Sequence, residues 1–256
     1  MSAVKAFFSD LNNGLIAKIS VSEEWQAYAI SAAFVIIVIV SAYLLGSINS
    51  AIIISKTLYR DDVRKHGSGN AGTTNMLRTY GKTAAILTLL GDMLKTVVSI
   101  TIAGILLGFN YSGGMSYNDG YCYIAGLFAV IGHIFPIYYG FRGGKGVLCA
   151  ATMILMLTPV PFSFLLLIFI GVVASSRYVS LGSVCCAIIY PVILHGYLEI
   201  FGAKLPAIIS LCSILLAILV VYCHRENLKR ISNRTESKIS FKKKKKESDV
   251  DGDEQK

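Results

Sequence analysis

The sequence predicts an all-α polytopic membrane protein with about seven transmembrane helices. Hydrophobic residues make up 54% of the chain and charged residues only 15%, and the mean hydropathy is +0.62. A soluble domain has roughly 25% charged residues. Several apolar runs approach or exceed the roughly 20 residues that cross the hydrocarbon core of a bilayer. They do not alternate between apolar and polar residues, as the strands of a membrane barrel would.

Six apolar runs follow one another along the chain. The first, 27–56, is longer than one span, and its polar stretch 46–50 is tolerated at membrane depth only against protein or water. The fourth, 147–176, contains Pro159 and Pro161, which fit either a tight hairpin or one kinked span. A hairpin gives seven spans in total and a kinked span gives six. The other runs are 83–108, 121–139, 181–201 and 205–223.

Positive charge is concentrated on alternate loops. Most of the 24 Lys and Arg lie in 56–82, in 140–146 or after residue 224. Loops rich in Lys and Arg stay in the cytoplasm, so we predict an outside N-terminus and a cytoplasmic C-terminus. Seven spans agree with this orientation, which favours the hairpin. The formal net charge of +9 is therefore interpreted as topology, and no nucleic-acid-binding module is recognisable.

The chain divides into three regions. Residues 1–27 form a polar N-terminal extension without the pattern of a removable signal peptide. Residues 28–230 form the integral membrane domain. Residues 231–256 form a basic and then acidic tail, which we expect to be disordered and cytoplasmic. Its lysine run 242–246 has the composition that binds anionic membrane lipids. The six cysteines show no metal-ligand spacing.

Two glycine-rich loops on the predicted cytoplasmic side have the composition of a phosphate site. They are "GSGNAGTTN" (67–75) and "RGGKG" (142–146). Glycine lets backbone N–H groups converge on an anion, Ser, Thr and Asn add donors, and Arg can hold a phosphate with two hydrogen bonds. The alternative interpretation is that the glycines only make tight turns and the basic residues only set topology. Three more polar segments are expected at the same surface, at 46–50, 175–183 and 224–227.

Several kinds of catalytic site are excluded. Neither loop is a nucleotide-binding P-loop, because Met76 stands where "GKT" at 81–83 requires a glycine, and Lys145 is not followed by Ser or Thr. None of the four histidines is followed by Asp at the H-x4-D spacing of thioester-dependent acyltransferases. No nucleophile and base stand out as a pair. That fits a reaction whose substrate is already activated, so that positioning and charge stabilisation are enough.

Asp92 and Lys95 stand three residues apart in the second apolar run. On a helix they share one face. Charged groups at membrane depth are costly and are functional or paired. The sequence therefore predicts either a functional pair or a buried ion pair that fixes helix packing.

Six segments resemble the motifs of one family, in order and rough spacing. They are "GSINS" (46–50), "RKHGSGNAGTTNMLRTYG" (64–81), "GDMLK" (91–95), "GHIFPIYYGFRGGKGV" (132–147), "RYVSLGS" (177–183) and "HRENLKR" (224–230). The chain is similar in them to the bacterial membrane acyl-phosphate-dependent glycerol-3-phosphate acyltransferases, over about residues 40–230. Asn49 and Ala71 stand where this family normally has proline.

The resemblance implies a reaction and a place. A fatty acyl group would pass from acyl phosphate to the sn-1 hydroxyl of glycerol 3-phosphate, giving 1-acylglycerol 3-phosphate (lysophosphatidate) and phosphate, the first acylation of phospholipid biosynthesis. The resemblance implies no metal and no cofactor, and a substrate phosphate that takes the hydroxyl proton. It places 28–230 as an acyltransferase domain among the lipids of the bacterial cell membrane, with its active site facing the cytoplasm.

Residues are carried over from the family by motif. The catalytic candidates are Lys145, Ser180, His224 and Asn227. Lys145 is expected to stabilise charge on the acyl phosphate, and Arg64 to clamp a phosphate. The candidates for substrate and phosphate binding are Ser47, Arg64, Gly67, Ser68, Gly69, Asn70, Gly72, Thr74, Asn75, His133, Arg142, Gly143, Gly144, Gly146 and Ser183.

Two other functions fit part of the sequence. A membrane transporter of phosphorylated metabolites would also need basic cavities and broken helices, but the polar motifs cluster on one face and no inverted repeat is visible. A non-catalytic scaffold would account for the basic tail and not for the glycine-rich loops. The sequence carries no signal of oligomeric state or of acyl-chain preference.

Overall fold

The computed structural model describes residues 14–19, 23–108, 117–201 and 205–239, and within these ranges every regular element is helical. This confirms the predicted all-α class. The α-helices are α1 (Glu24–Ser47), α2 (Ser50–Leu58), α3 (Thr73–Tyr80), α4 (Lys82–Leu107), α5 (Tyr117–Ile134), α6 (Val147–Leu157), α7 (Pro159–Ser176), α8 (Val179–Ile200), α9 (Ala207–Cys223) and α10 (Arg225–Ser232). The lysine run 242–246 and residues 1–13 of the predicted N-terminal extension lie outside the described ranges.

Among the described residues, five helical segments are long and apolar enough to cross a membrane. They are Glu24–Leu58, which joins α1 and α2, Lys82–Leu107, Asp119–Tyr139, Pro159–Ser176 and Val179–Ile200. α9 and α10 make a sixth if this pair, bent by 51°, counts as one span. α6 is apolar but only 11 residues long. The chain is a multi-pass membrane protein, and the seventh crossing and the orientation of the termini stay predictions.

The exterior of the helix bundle is apolar. Ile36 on α1, Leu90 on α4, Leu167 on α7 and Ile218 on α9 are each more than half exposed. Apolar surface spread over so many helices suits lipid rather than water. The segment Asp119–Tyr139, which contains most of α5, is the most enclosed of the five spans, with 67% of its apolar window buried. α5 is therefore the most enclosed of these helices, and α1, α4, α6 and α9 pack against it.

The first apolar run breaks between α1 and α2, at Ile48 and Asn49. The Asn49 side chain accepts a hydrogen bond from the backbone N–H of Ile52 at 3.1 Å and so caps α2. The buried ammonium of Lys95 donates to the carbonyl of Ile48 at 2.8 Å. Protein groups thus satisfy the polar backbone at the break, as its depth in the membrane requires.

Just before this break, α1 and α5 touch backbone to backbone. A Cβ at Gly46 would overlap the backbone of Ala129, and a Cβ at Gly132 would overlap the carbonyl of Tyr43. Ser47 is fully buried at this contact, and its hydroxyl donates to the Tyr43 carbonyl at 2.8 Å. Ser47 therefore belongs to a helix–helix contact.

The fourth apolar run consists of two helices that meet at Thr158. Lys145, just before α6, hydrogen-bonds Asn227 on α10. The backbone carbonyl of Arg177, just after α7, accepts a hydrogen bond from the N–H of Ile239 in the segment that follows α10. Both ends of the run therefore lie at the same end of the bundle, as a hairpin requires.

Residues 233–239 continue from α10 across this end of the bundle. The N–H of Glu236 donates back to the carbonyl of Arg230 at 3.2 Å. The sequence prediction assigned everything from residue 231 to a disordered tail, whereas α10 extends to Ser232 and the residues after it have protein partners. This segment is part of the folded structure around the candidate site.

Candidate active site

A cavity of about 760 Å³ lies between the loop before α3, the α6–α7 hairpin, α8, α9 and α10. Its volume falls in the range of ligand sites, roughly 300–1,000 Å³. One part of its lining consists of polar side chains and glycines, and another part consists of Leu, Ile, Val and Phe side chains. A polar region continuous with an apolar wall suits an amphipathic ligand.

The structure brings most of the predicted site residues together at this cavity. Those that line it are Gly67, Ser68, Asn70, Gly72, Thr74, His133, Lys145, Gly146, Ser180, Ser183, His224 and Asn227. The predicted residues that do not line it are Ser47, Arg64, Gly69, Asn75, Arg142, Gly143 and Gly144. Their contacts show that they shape the surroundings of the cavity.

The glycine-rich loop before α3 is held from behind by Asn75. The Asn75 side chain accepts a hydrogen bond from the N–H of Ser68 at 3.0 Å and donates to the carbonyl of His66 at 3.0 Å. Gly67 and Gly69 have φ angles of 57° and 70°, where other residues are strained. A Cβ at Gly67 would also overlap the Asn75 side chain. Asn75 and Gly69 therefore fix the shape of this loop, while most of its other residues line the cavity.

Thr73, at the start of α3, has a buried hydroxyl without a hydrogen-bond partner in the described part of the chain. It also lines the cavity. Buried polar groups are nearly always paired, and the first N–H groups of a helix have no intrahelical partner and attract anions. The start of α3 is thus equipped to bind an anion. Thr74 was among the predicted site residues and Thr73 was not.

Arg64 is engaged away from the cavity. Its guanidinium donates to both carboxylate oxygens of Asp62, at 2.7 Å and 3.0 Å, and to the carbonyl of Tyr139 at 3.0 Å. The hydrogen bond from Arg64 lowers the pKa of Asp62 to about 2. Arg64 also donates to the carbonyl of Arg142 at 3.4 Å, while Arg142 itself is exposed. These contacts tie two loops together, and a phosphate clamp at Arg64 would have to break them.

The 140–146 loop packs directly on the end of α5. The N–H groups of Gly143 and Gly144 each donate to a carbonyl in the last turn of α5 at 3.1 Å. A Cβ at Gly144 would overlap the ring of His133. The two glycines therefore let the loop lie against His133, which places Lys145 at the cavity.

Asp92, Lys95 and His133 form a buried charged cluster at the polar end of the cavity. The Lys95 ammonium lies 2.9 Å from His133 Nδ1 and 3.0 Å from Asp92 Oδ1, and the three side chains are no more than 5% exposed. Lys95 and Asp92 form an ion pair, but Asp92 Oδ1 accepts no hydrogen bond within the described part of the chain. Through the bond of Lys95 to Ile48, the cluster joins α1, α4 and α5.

Asp92 itself lines the cavity, although it was not among the predicted site residues. The sequence predicted the pairing of Asp92 with Lys95 but not the contact of both with His133. The signal that could have placed Asp92 in the site was its charge at membrane depth, which marks a functional group by default.

A second polar cluster, the C-terminal cluster, forms where α8, α10 and the segment after α10 meet. Lys145 donates to Asn227 Oδ1. The Asn227 NH₂ group and the Ser180 hydroxyl both donate to Glu236 Oε1, at 2.6 Å and 2.9 Å. Arg230 donates to Glu236 Oε2 at 2.7 Å. Three of the four predicted catalytic residues therefore meet around Glu236, which was not predicted.

Burial acts on the two ends of this cluster in different ways. It lowers the pKa of Lys145, and the nearby carboxylate of Glu236 partly opposes that effect. Burial disfavours ionisation of Glu236, but hydrogen bonds from Asn227, Arg230 and Ser180 outweigh it and hold the pKa of Glu236 below its usual range. Glu236 is thus anionic at neutral pH, and Lys145 loses its proton more readily than a free lysine does.

His224 and Ser183 complete the polar lining. His224 Nδ1 lies 2.7 Å from the carbonyl of Val220, so Nδ1 carries the proton and Nε2 of the neutral ring is an acceptor. The Ser183 hydroxyl donates to the carbonyl of Val179 at 3.0 Å. No group of three or more His, Cys, Asp or Glu suited to a metal ion occurs among the residues that the structure describes.

The chain is similar in sequence to known glycerol-3-phosphate acyltransferases over most of its length. A family model for glycerol-3-phosphate acyltransferase matches residues 36–234. A glycerol-3-phosphate acyltransferase of Syntrophomonas wolfei is 42% identical over 204 residues, which are 80% of this chain and 96% of that protein. A glycerol-3-phosphate acyltransferase of Bacillus cytotoxicus is 40% identical over 212 residues, which are 82% of this chain and 98% of that protein.

Two solved structures also resemble the chain. One is the glycerol 3-phosphate form of PlsY (YgiH), an integral membrane glycerol 3-phosphate acyltransferase, with a TM-score of 0.69 at 32% identity over 80% of this chain and 96% of that chain. The other is the lysophosphatidic acid form of PlsY, with a TM-score of 0.67 at 30% identity over 80% of this chain and 95% of that chain.

Proposed function

The chain belongs to the glycerol-3-phosphate acyltransferase family, which confirms the resemblance of its six motifs, and from this premise we propose its full reaction. We propose that it transfers a fatty acyl group from acyl phosphate to the sn-1 hydroxyl of glycerol 3-phosphate. The products are lysophosphatidate and phosphate, in the first acylation of phospholipid biosynthesis. The observation that carries this proposal is one cavity whose lining joins glycines and polar side chains to an apolar wall.

The polar end of the cavity offers two groups of donors, which suits two substrate phosphates. The first group is the loop before α3 with the unpartnered hydroxyl of Thr73. The second is the ammonium of Lys145 with the guanidiniums of Arg78 and Arg230, which line the same cavity. Hydroxyls, backbone N–H groups and cations are the usual phosphate ligands in proteins. The solved relative in a glycerol 3-phosphate form supports glycerol 3-phosphate as one of the two substrates.

The apolar wall of the cavity suits the acyl chain. It includes Ile154 from α6, Phe162, Leu165 and Phe169 from α7, and Leu216 from α9. Each buried methylene contributes about 0.8 kcal/mol, so a long acyl chain would gain much of its affinity here. The chain would then extend from the apolar wall and present its phosphate to the polar end.

The proposed chemistry needs no protein nucleophile. The sn-1 oxygen attacks the acyl carbonyl carbon, the carbon–oxygen bond to phosphate breaks, and phosphate leaves with the electron pair. The hydroxyl proton passes to an oxygen of a substrate phosphate. Lys145 would stabilise the charge that grows on the leaving phosphate. His224 Nε2 would accept a hydrogen bond from the attacking hydroxyl and orient it.

We further propose that residues 28–230 form the acyltransferase domain in a bacterial cell membrane, with seven crossings and an active site that faces the cytoplasm. Support comes from the basic segments. Residues 56–82, 140–146 and α10 carry many of the Lys and Arg and lie at the end of the bundle where the polar part of the cavity is found. Such loops stay on the cytoplasmic side.

An acyl-transfer assay tests this reaction. The protein, purified in lipid mesophase or detergent, is given labelled glycerol 3-phosphate with palmitoyl phosphate, palmitoyl-CoA or palmitoyl-acyl-carrier protein, and a metal chelator is present throughout. We expect labelled lysophosphatidate and free phosphate from palmitoyl phosphate alone. Product from palmitoyl-CoA instead would contradict the proposed donor. A folded protein that makes no product from any donor would favour a transporter, to be followed by flux measurements in vesicles.

A further inference from the structure

Glu236 lies outside every motif that carries the family resemblance, and the family match ends at residue 234. Its side chain is nevertheless only 10% exposed. It accepts hydrogen bonds from Ser180 on α8 and from Asn227 and Arg230 on α10. It also lines the cavity. A largely enclosed carboxylate thus takes up three donors at the cavity that we propose binds phosphate.

The Glu236 carboxylate determines which way the Asn227 amide points. A carboxylate only accepts hydrogen bonds, so the amide must turn its NH₂ group toward Glu236. The amide oxygen then faces the ammonium of Lys145, which only donates. If the amide were turned over, its oxygen would face the carboxylate and its NH₂ group would face the ammonium. Glu236 therefore holds Asn227 in the one orientation that binds Lys145.

The same carboxylate orients Ser180. The single hydroxyl hydrogen of Ser180 is donated to Glu236 at 2.9 Å. The lone pairs of the Ser180 oxygen are then the groups left for a ligand, so Ser180 acts toward substrate as an acceptor. An acceptor at this place suits a substrate hydroxyl better than a phosphate oxygen.

Glu236 also fastens α10 to the rest of the bundle. α10 has only 8 residues, which is too short for a helix to be stable without tertiary contacts. The bond between Glu236 and Arg230 anchors the segment after α10 to that helix, and the bond between Ile239 and Arg177 anchors its far end beside α8. Glu236 itself makes the first of these anchors and adds the contact to Ser180.

We propose that Glu236 is a positioning residue for acyl transfer, which orients Asn227 and, through Asn227, the ammonium of Lys145 that stabilises the leaving phosphate. This inference rests on the proposed function, since it assigns Glu236 a part in that same reaction. It extends the site by a residue and by a segment of the chain, 235–239, that no motif contains.

Three single variants test the proposal. Glu236→Ala removes the carboxylate, and Glu236→Gln keeps one oxygen that can accept from Asn227 and Ser180. Glu226→Ala changes an exposed carboxylate on α10, next to Asn227 in sequence, and serves as the matched control. Loss of a charge-assisted hydrogen bond predicts a kcat lowered about 10- to 100-fold in Glu236→Ala, with KM for glycerol 3-phosphate changed less than about 3-fold. Glu236→Gln should recover to within about 5-fold of wild type, and Glu226→Ala should match wild type.

A double-mutant cycle separates positioning from a general effect on the fold. Glu236→Ala is introduced into wild type and into the Asn227→Ala variant. If Glu236 acts through Asn227, its loss lowers kcat much less when Asn227 is already absent. Equal losses in both backgrounds would overturn the proposal, because the effect would not pass through Asn227. Should Glu236→Ala fail to fold, the similarly sized Glu236→Met takes its place.

Two further results would also overturn it. Wild-type kcat in Glu236→Ala would show that the carboxylate is not needed. A raised kcat with a lowered KM would show that Glu236 competes with a substrate phosphate for its donors. Absence of product in the wild-type protein with every donor is a separate result, which refutes the proposed function and not the role of Glu236 alone.

Discussion

The loop before α3 and the C-terminal cluster line the same cavity, yet their donors are used differently. The Thr73 hydroxyl, where the loop meets α3, has no hydrogen-bond partner in the described part of the chain. No acidic side chain is present between residues 67 and 75. In the C-terminal cluster, donors from Ser180, Asn227 and Arg230 converge on Glu236. The loop is prepared for an anion that arrives from outside, whereas the cluster already contains an anion of the chain. We infer that the loop mainly binds and the cluster mainly positions.

The largest effect should come from the residue that the cluster positions. Lys145→Ala is expected to lower kcat by about 10²- to 10³-fold, because it removes the cation proposed to stabilise the leaving phosphate. Lys82→Ala, which changes an exposed lysine at the start of α4, is the matched control and should retain normal turnover. Both are measured by lysophosphatidate formation under saturating substrate. Near-normal turnover in Lys145→Ala would refute its assignment as the catalytic cation.

A glycine in the loop provides the next test. Gly67→Ala and Gly140→Ala both place a side chain at positive φ, of 57° and 66°, which costs about 1–2 kcal/mol in either case. Only at Gly67 would the new Cβ also overlap Asn75, since nothing lies within 4 Å of a Cβ at Gly140. Gly67→Ala should therefore lower kcat/KM by about 10- to 100-fold through displacement of the loop.

Thermal unfolding of the two glycine variants supplies the control. Gly140→Ala should lose stability and keep most of its kcat/KM. Equal losses of activity in both variants would mean that backbone strain, and not the shape of the loop, limits the reaction.

The unpartnered hydroxyl gives a smaller but more selective effect. Thr73→Val keeps the side-chain shape and removes the hydroxyl, so KM for one phosphate-bearing substrate should rise about 10-fold with little change in kcat. Without ligand the variant should be at least as stable as wild type, because an unsatisfied buried hydroxyl has been removed. Thr83→Val, at an exposed position on α4, is the control. An unchanged KM for both substrates would remove Thr73 from the binding site.

The smallest effect is a shift of the pH profile. Lys145 is charged below its pKa, and activity that depends on the ammonium is lost as pH rises through that pKa. Because burial lowers the pKa of Lys145, the alkaline limb of kcat should lie below the range of an ordinary lysine. Glu236 and Cys223 raise this pKa while Arg230 and Arg78 lower it. Glu236→Gln should therefore move the limb to lower pH, and a limb that stays in place would show that the Glu236 charge does not act on Lys145.

The spans and their interruptions were predictable because both are local in sequence. Apolar composition summed over a long run marks a helix in lipid, and Pro159 marks the turn of the hairpin. The break at Asn49 was visible as a polar stretch. What the sequence did not show is that Asn49 donates to the carbonyl of Ala71 at 3.4 Å, so the two positions that depart from the family's prolines lie in contact with one another.

The sequence predicted which residue types make up the site better than it predicted what each side chain does there. A motif indicates that a residue matters, but not whether its side chain faces the cavity. Arg64 and Asn75 stand in the glycine-rich motif, yet their side chains bond the surrounding loops. Glu236 was missed because it lies among charged residues whose composition predicts disorder, and its partner Ser180 is 56 positions away. Contacts over such separations depend on tertiary packing, which composition does not encode.

The two arms of the α6–α7 hairpin differ in length, with 11 and 18 residues. At about 1.5 Å per residue they rise about 16 Å and 27 Å, so the shorter arm begins about 10 Å deeper than the longer one ends. Lys145 lies just before the shorter arm, on the recessed side of this end of the hairpin. A fatty acyl compound held against the apolar wall of the cavity would bring its phosphate to this recess. A water-soluble substrate would reach the same recess from the loops, so under the proposed function the length of one short helix would set where the two reactants meet.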